Sequence, residues 1–155
     1  MRAVCTVILA VALLPPPAQA KGMICFTKSE QNAEQLVRSG IRLREGAVGC
    51  DGPPWHAATL PLWQQVDQRY GSRFKQQTEL RRQAFVREFA GDAENHEQMW
   101  DGRIVFYYRN YSLSTGYCRE IKQTLETIVG GGWGLFVKQA HTAQDAVEMD
   151  YRVCR

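Results

Sequence analysis

Four carboxylates close together in the middle of the chain are the residues best placed to do chemistry. They are Glu88, Glu94, Glu97 and Asp101. Two carboxylates about 5–10 Å apart can cleave a glycosidic bond when burial raises the pKa of one of them. The competing interpretation is that such side chains are helix-capping and solvated charges. No glutamate stands in a hydrolase motif, so a small cell-wall glycan hydrolase is the alternative function and not the leading one.

The three histidines of the chain do not form a metal-binding motif. The segment His96-Glu97-Gln98-Met99-Trp100 starts like the helix of a zinc protease, but Trp100 stands where the second histidine is needed. His56 and His141 are far away in sequence. No serine lies in a Gly-x-Ser-x-Gly motif, and no Cys-x-x-Cys-His motif for haem is present. The sequence therefore predicts no catalytic residue, no metal site and no cofactor.

Two runs of arginine offer a different kind of chemistry, the binding of an anionic partner. They comprise Arg38, Arg42 and Arg44, and then Arg81, Arg82 and Arg87. If adjacent, they would suit an anionic cell-surface component such as a phospholipid headgroup or a polysaccharide. The pattern favours ordinary solvated helix faces.

The overall charge gives no argument for nucleic acid as a partner. The chain has 19 Lys and Arg against 16 Asp and Glu, a net charge of +3. Removal of an N-terminal segment that contains Arg2 would lower this charge by one, to +2. A nearly neutral domain is not drawn to polyanions by its net charge.

The first 20 residues are typical of a secretory signal peptide. Arg2 is followed by an apolar run over 4–14, which is too short to span a bilayer. Three prolines then precede Ala18-Gln19-Ala20, a small-x-small cleavage site. We expect cleavage after Ala20, a mature domain over 21–155 without a membrane span, and a secreted or periplasmic location.

The cysteines support export, because four remain after Cys5 leaves with the signal peptide. They are Cys25, Cys50, Cys118 and Cys154. An even number in an exported chain favours two disulfides, and the wide gaps between them do not suit a metal site.

The longest amphipathic pattern runs over 62–89 and predicts the helix that organises the domain. Trp63, Val66, Tyr70 and Phe74 recur at steps of three and four residues, as the apolar side of a helix does. The arginines of this segment, Arg81 among them, are assigned to the opposite, polar face. Gly71 and Ser72 mark a point where the helix could bend.

Three further helices are predicted around it. Thr27 and Glu30 form a capping box for a first helix that should fade near Gly46. Asp92 can cap a third helix, although its residues 104–108 are also β-prone and a strand is the competing prediction. Ser112 or Ser114 can cap a fourth that ends at the glycines after position 129. The tail over 147–153 fits either a helix or a strand.

An up-and-down order of these helices fixes the expected disulfides. Cys50 and Cys118 would lie at one end of the bundle, which leaves Cys25 to pair with Cys154. The predicted fold is mainly α, an irregular four- to five-helix bundle stapled by two disulfides. The leading function is a non-catalytic binding or accessory protein, with an envelope protein among its expected partners. A carrier of lipid or of another apolar ligand is a further alternative.

Overall fold

The computed structural model describes residues 24–142 and 151–154. In this part of the chain the fold is mainly α, as predicted, with five α-helices and two short strands. The predicted signal peptide and its cleavage site lie outside the described residues. No helix of the described part is long and apolar enough to cross a membrane.

Helix α1, Lys28–Asp51, begins at the predicted capping box. Thr27 Oγ1 accepts a hydrogen bond from the Glu30 backbone N–H, and the Glu30 carboxylate accepts one from the Thr27 N–H at 2.8 Å. The prediction that this helix fades near Gly46 is wrong. A Cβ at Gly46 would lie 2.8 Å from the Ile121 side chain, so the glycine allows close packing there instead of ending the helix.

Helix α2, Leu60–Phe89, is the long organising helix and has 30 residues. It passes through Gly71 and Ser72 without interruption. Pro61 occupies its first turn, where the missing N–H costs nothing. Thr59 precedes the helix, but its buried hydroxyl donates to the Ala47 carbonyl at 2.8 Å and so ties the start of α2 to α1.

Three shorter helices follow. A 3-10 turn, Ala90–Asp92, leads into α3, Ala93–Arg109, so residues 104–108 are helical and the competing strand prediction is wrong. The period of burial explains this, because Ile104 and Tyr108 are one turn apart and both are buried. The last two helices are α4, Thr115–Gly131, capped by the Ser114 hydroxyl, and α5, Trp133–Thr142. Gly132 separates them at φ +85°, a conformation that suits glycine.

The two strands bring the ends of the domain together. Strand β1, Ile24–Phe26, pairs in parallel with β2, Tyr151–Val153, with Cys25 opposite Arg152. The end of the tail is therefore a strand, while positions 147–150 lie outside the described residues. Disulfides join Cys25 to Cys154 and Cys50 to Cys118, the pairs that the up-and-down order predicts.

The interior of the described part of the chain contains two apolar clusters. The first lies among α1, α2, α4 and α5 and contains Val66, Ile121, Leu125 and Phe136 together with the Cys50–Cys118 disulfide. The second lies under the strands, between the end of α2 and α3. Phe26 is at its centre, with edge-to-face ring contacts to Phe85, Trp100 and Tyr151.

Candidate functional site

A set of charged side chains is buried where α1, α2 and α3 meet, and Glu34 is at its centre. The Glu34 side chain has no exposed surface. Its Oε1 accepts hydrogen bonds from the Arg38 guanidinium and, at 3.0 Å, from the Trp100 indole N–H. Its Oε2 lies 3.2 Å from Nη1 of Arg81. One carboxylate of α1 therefore holds side chains from both neighbouring helices.

Arg81 completes the connection by binding two carboxylates of α3. Its Nη1 and Nη2 lie 2.8 and 2.9 Å from the two oxygens of Asp101, and Nη2 lies 3.1 Å from Glu97 Oε1. Burial lowers the pKa of the Arg81 guanidinium, but the hydrogen bond to Asp101 and the charge of Glu34 outweigh burial and raise that pKa above its ordinary value. We call Glu34, Arg38, Arg81, Glu97 and Asp101 the Arg81 network.

The assignment of Arg38 and Arg81 to solvent-facing surfaces is wrong, since their exposed fractions are 2% and 0%. The spacing did contain a signal. Arg81 follows Phe74 by seven residues and precedes Phe85 by four, so it lies on the buried stripe of α2. A charged side chain is tolerated there because its partners, Glu34 first among them, replace the hydration that it loses.

The carboxylates considered for glycan hydrolysis do not form an open pair. The Arg81 guanidinium contacts both Glu97 and Asp101 and occupies the space between them. A glycosidase needs that space for the glycosidic oxygen and for water. The geometry gives the hydrolase hypothesis no support. The other two carboxylates also have neighbours: Glu94 accepts from Gln98, and Glu88 lies 3.7 Å from Arg87.

The histidines lie in three separate places. The His96 ring stacks on Phe89, with 3.7 Å between the ring centroids, and lies 3.4 Å from Asp92. His141 lies near the end of α5 and contacts Gln35 of α1, and His56 lies in the loop before α2. Among residues 24–142 and 151–154, no three His, Cys, Asp or Glu side chains are grouped so that they could hold a metal ion.

The two arginine runs do not form an open anion-binding patch, because each of their six members lies beside a carboxylate. The partners of Arg38 and Arg81 are those of the network. The remaining pairs are Arg42 with Glu120, Arg44 with Glu45, Arg82 with Glu97, and Arg87 with Glu30. This pairing gives the hypothesis of an anionic partner no support.

A groove with a volume of about 240 Å³ opens beside the Arg81 network, between α1, α2 and α3. We call it the α1–α2–α3 groove. Its apolar walls are Val37 and Ile41 of α1, the rings of Trp63 and Phe74 of α2, and Val105 of α3. Asp101 belongs to both the groove and the network, and its side chain is 34% exposed. The network therefore holds the three walls of the groove in place.

The ionic side chains of the groove are not equivalent. Asp101 is held by Arg81, and Arg44 lies 2.7 Å from Glu45. Asp67 is exposed and has no ion-pair partner within residues 24–142 and 151–154. Glu45 also accepts a hydrogen bond from Arg109 at 3.1 Å, so Arg44 shares its carboxylate with a second arginine. Asp67 is thus the one charged residue of the groove without an ion-pair partner in the described part of the chain.

The sequence predictions did not include this groove, although α2 contained part of the signal. Trp63, Asp67, Phe74 and Thr78 are separated by four, seven and four residues, which puts them on one side of the helix. The apolar pattern predicts that Trp63 and Phe74 face the core, and both do touch the first apolar cluster while remaining only partly buried. Which other helices border that side of α2 depends on the tertiary fold.

Comparison with known proteins assigns no family to the chain. No family model, no curated protein and no solved structure matches it. The geometry of the Arg81 network and of the groove beside it is therefore the basis on which a function is argued.

Proposed function

We propose that this chain is an exported, disulfide-stapled binding or accessory protein without catalysis, and that the α1–α2–α3 groove is the place where its partner binds. The single observation that carries the binding role is the groove itself. It is a concave site with apolar walls, two aromatic rings and one carboxylate that has no ion-pair partner in the described residues, and it lies beside the Arg81 network.

The disulfides support the exported location. Both pairs join residues far apart in sequence, with separations of 129 and 68 residues. Such bonds persist in the periplasm and outside the cell and are rare in a reducing cytosol. The expected cleavage after Ala20 accounts for how the chain would reach that compartment.

The size of the groove argues against the apolar-carrier alternative. A volume of about 240 Å³ lies below the range of about 300–1,000 Å³ that is typical of sites for small molecules. A groove of this size suits one side chain or a similarly small group of a partner.

Photo-crosslinking in living cells tests this proposal. A photoreactive amino acid is placed at Val105, which lines the groove, in the full-length chain expressed with its own N-terminal segment. The matched control is Val48, which lies on α1 outside the groove and is 54% exposed. We expect adducts of defined mass from position 105 and none from position 48, with the protein recovered from the periplasm or the medium as a chain that begins at Lys21.

Three results would contradict the proposal. Equal crosslinking from both positions, or none from position 105, would show that the groove is not the binding site. Recovery of the uncleaved chain from the cytosol with all five cysteines as free thiols would contradict export.

A further inference from the structure

We infer that the occupant of the α1–α2–α3 groove is a basic side chain, lysine or arginine, presented by a partner polypeptide. This inference rests on the proposed function and adds the chemical class of the ligand. Asp67 would supply the opposing charge, and the aromatic and apolar walls would cover the methylene stem.

The charge argument starts from the pairs already formed. The Asp101 carboxylate is bound at both oxygens by Arg81, and Arg44 pairs with Glu45, a carboxylate that it shares with Arg109. Only Asp67, among the charged residues that line the groove, has no such partner in the described part of the chain. An anionic ligand would bring a second negative charge next to this carboxylate. A single cation would form an ion pair with it.

The walls favour a cation that has an apolar stem. Trp63 and Phe74 lie with their ring centroids 5.9 Å apart on one side of the groove. Aromatic faces attract ammonium and guanidinium groups, and the methylenes of lysine and arginine pack well on apolar surface. Val37, Ile41 and Val105 provide that surface.

The volume of the groove suits a single side chain better than a larger ligand. The volume of about 240 Å³ has room for one long side chain and is small for a typical metabolite site. A side chain brought by a partner also gains from contacts that the partner makes around the rim, so that a small groove can contribute to specific recognition.

Nuclear magnetic resonance titration of the mature, disulfide-bonded protein tests the inference. The probes are acetyl-Gly-Lys-Gly-amide, its neutral counterpart with norleucine in place of lysine, and free hexylamine. We expect the lysine peptide to shift the Trp63 indole and the backbone signals around Asp67. Its dissociation constant should be about two- to fivefold lower than that of the norleucine peptide, the ratio expected from one exposed charge pair.

A pair of charge-neutralising variants locates the effect. Asp67→Asn should raise the dissociation constant of the lysine peptide to that of the norleucine peptide. Glu126→Gln makes the same change in net charge at an exposed position of α4, outside the groove, and should leave binding as in the wild-type protein. Because Asp67 is exposed, both variants are expected to fold.

Each of the remaining outcomes of the titration would refute one part of the inference. Equal affinity for the two peptides, or no effect of Asp67→Asn, would refute a basic side chain as the occupant. Binding of hexylamine without the lysine peptide would replace the polypeptide partner by a free amine. If position 105 still crosslinks in cells in either case, the groove remains the binding site and only the class of occupant is wrong. Absence of that crosslink refutes the proposed function itself.

Discussion

Arg81 on α2 and Glu34 on α1 form an ion pair of 3.2 Å in which neither side chain has any exposed surface. The Arg38 guanidinium and the Trp100 indole converge on the same carboxylate, so this pair connects three helices. Buried ion pairs are costly to form but much more costly to break, because the remaining partner keeps its charge without water or a counter-ion. The stability of the α1–α2–α3 junction should therefore depend strongly on Arg81.

Arg81→Met should destabilise the fold by about 3–5 kcal/mol, since it leaves Asp101 and Glu97 without their main cation and Glu34 with Arg38 alone. The neighbouring substitution Arg82→Met is the matched control. Arg82 is 43% exposed and lies 3.7 Å from Glu97, so its loss should cost less than about 1 kcal/mol. Urea denaturation followed by circular dichroism measures both, and similar values for the two variants would refute the assigned importance of the Arg81 network.

Much of the secondary structure could be predicted because its signals are local. The Thr27 and Glu30 capping box marks the start of α1, and the buried positions Ile121, Leu125 and Ile128 follow a helical period in α4. The disulfide pairs then followed from the order of the helices. These inferences need only neighbours in sequence and a simple topology.

The groove and the network could not be predicted because they depend on partners from three helices. Polarity suggests that Arg81 is exposed, and only the position of Glu34 on another helix explains its burial. Likewise Gly46 looks like a helix end until Ile121 is found packed against it. Such cases arise where tertiary contacts outweigh a residue's own propensity.

Acid should weaken the link between α1 and the end of α2, which Glu30 and Arg87 make at 2.7 Å. The hydrogen bond from Arg87 holds the pKa of the Glu30 carboxyl below its ordinary value of 4.5, against the opposing effect of burial. Because folding favours the ionised form, this stabilisation is complete above pH 4.5 and is lost as the pH falls through the lowered pKa.

Glu30→Gln isolates that charge, since glutamine can keep the capping box. We expect the wild-type protein to be more stable than the variant by about 1 kcal/mol at neutral pH, and by much less once the pH has fallen through the lowered pKa of Glu30. Urea denaturation across this range gives the difference. An unchanged difference at low pH would show that the contribution of Glu30 is not electrostatic, and Glu126→Gln should show no comparable trend.

Two helical glycines should respond in opposite ways to the same substitution. A Cβ at Gly46 would lie 2.8 Å from Ile121 and 2.9 Å from the Tyr117 hydroxyl, whereas one at Gly102 in α3 would meet no atom within 4 Å. Gly46→Ala should therefore destabilise by about 1–3 kcal/mol through overpacking. Gly102→Ala should stabilise by about 0.5–1 kcal/mol through helix propensity. Thermal denaturation of both variants measures these changes in stability. Stabilisation by Gly46→Ala would mean that α1 and α4 pack less closely than described.

The two disulfides should differ in how readily a thiol reduces them without denaturant. Cys50 and Cys118 are 0% and 3% exposed and lie in the first apolar cluster, where a thiolate cannot reach them. Cys25 and Cys154 are partly exposed, and Nη2 of Arg87 lies 3.7 Å from the Cys154 sulfur. A nearby guanidinium stabilises the thiolate that leaves when an external thiol attacks the Cys25 sulfur, which accelerates the exchange.

Dithiothreitol at low concentration should therefore reduce Cys25–Cys154 at least about tenfold faster than Cys50–Cys118, as followed by alkylation of the freed thiols and peptide mass spectrometry. Arg87→Gln should slow the first step, while Arg87→Lys, which keeps the positive charge, should retain most of the rate. Opening this bond releases a constraint across 129 residues and should lower the free energy of unfolding by about 4 kcal/mol.

Equal reduction rates for the two bonds would mean that burial does not protect Cys50–Cys118. If Arg87→Gln left the rate of the terminal bond unchanged, its reactivity would be due to exposure alone, and the guanidinium would have no part in it.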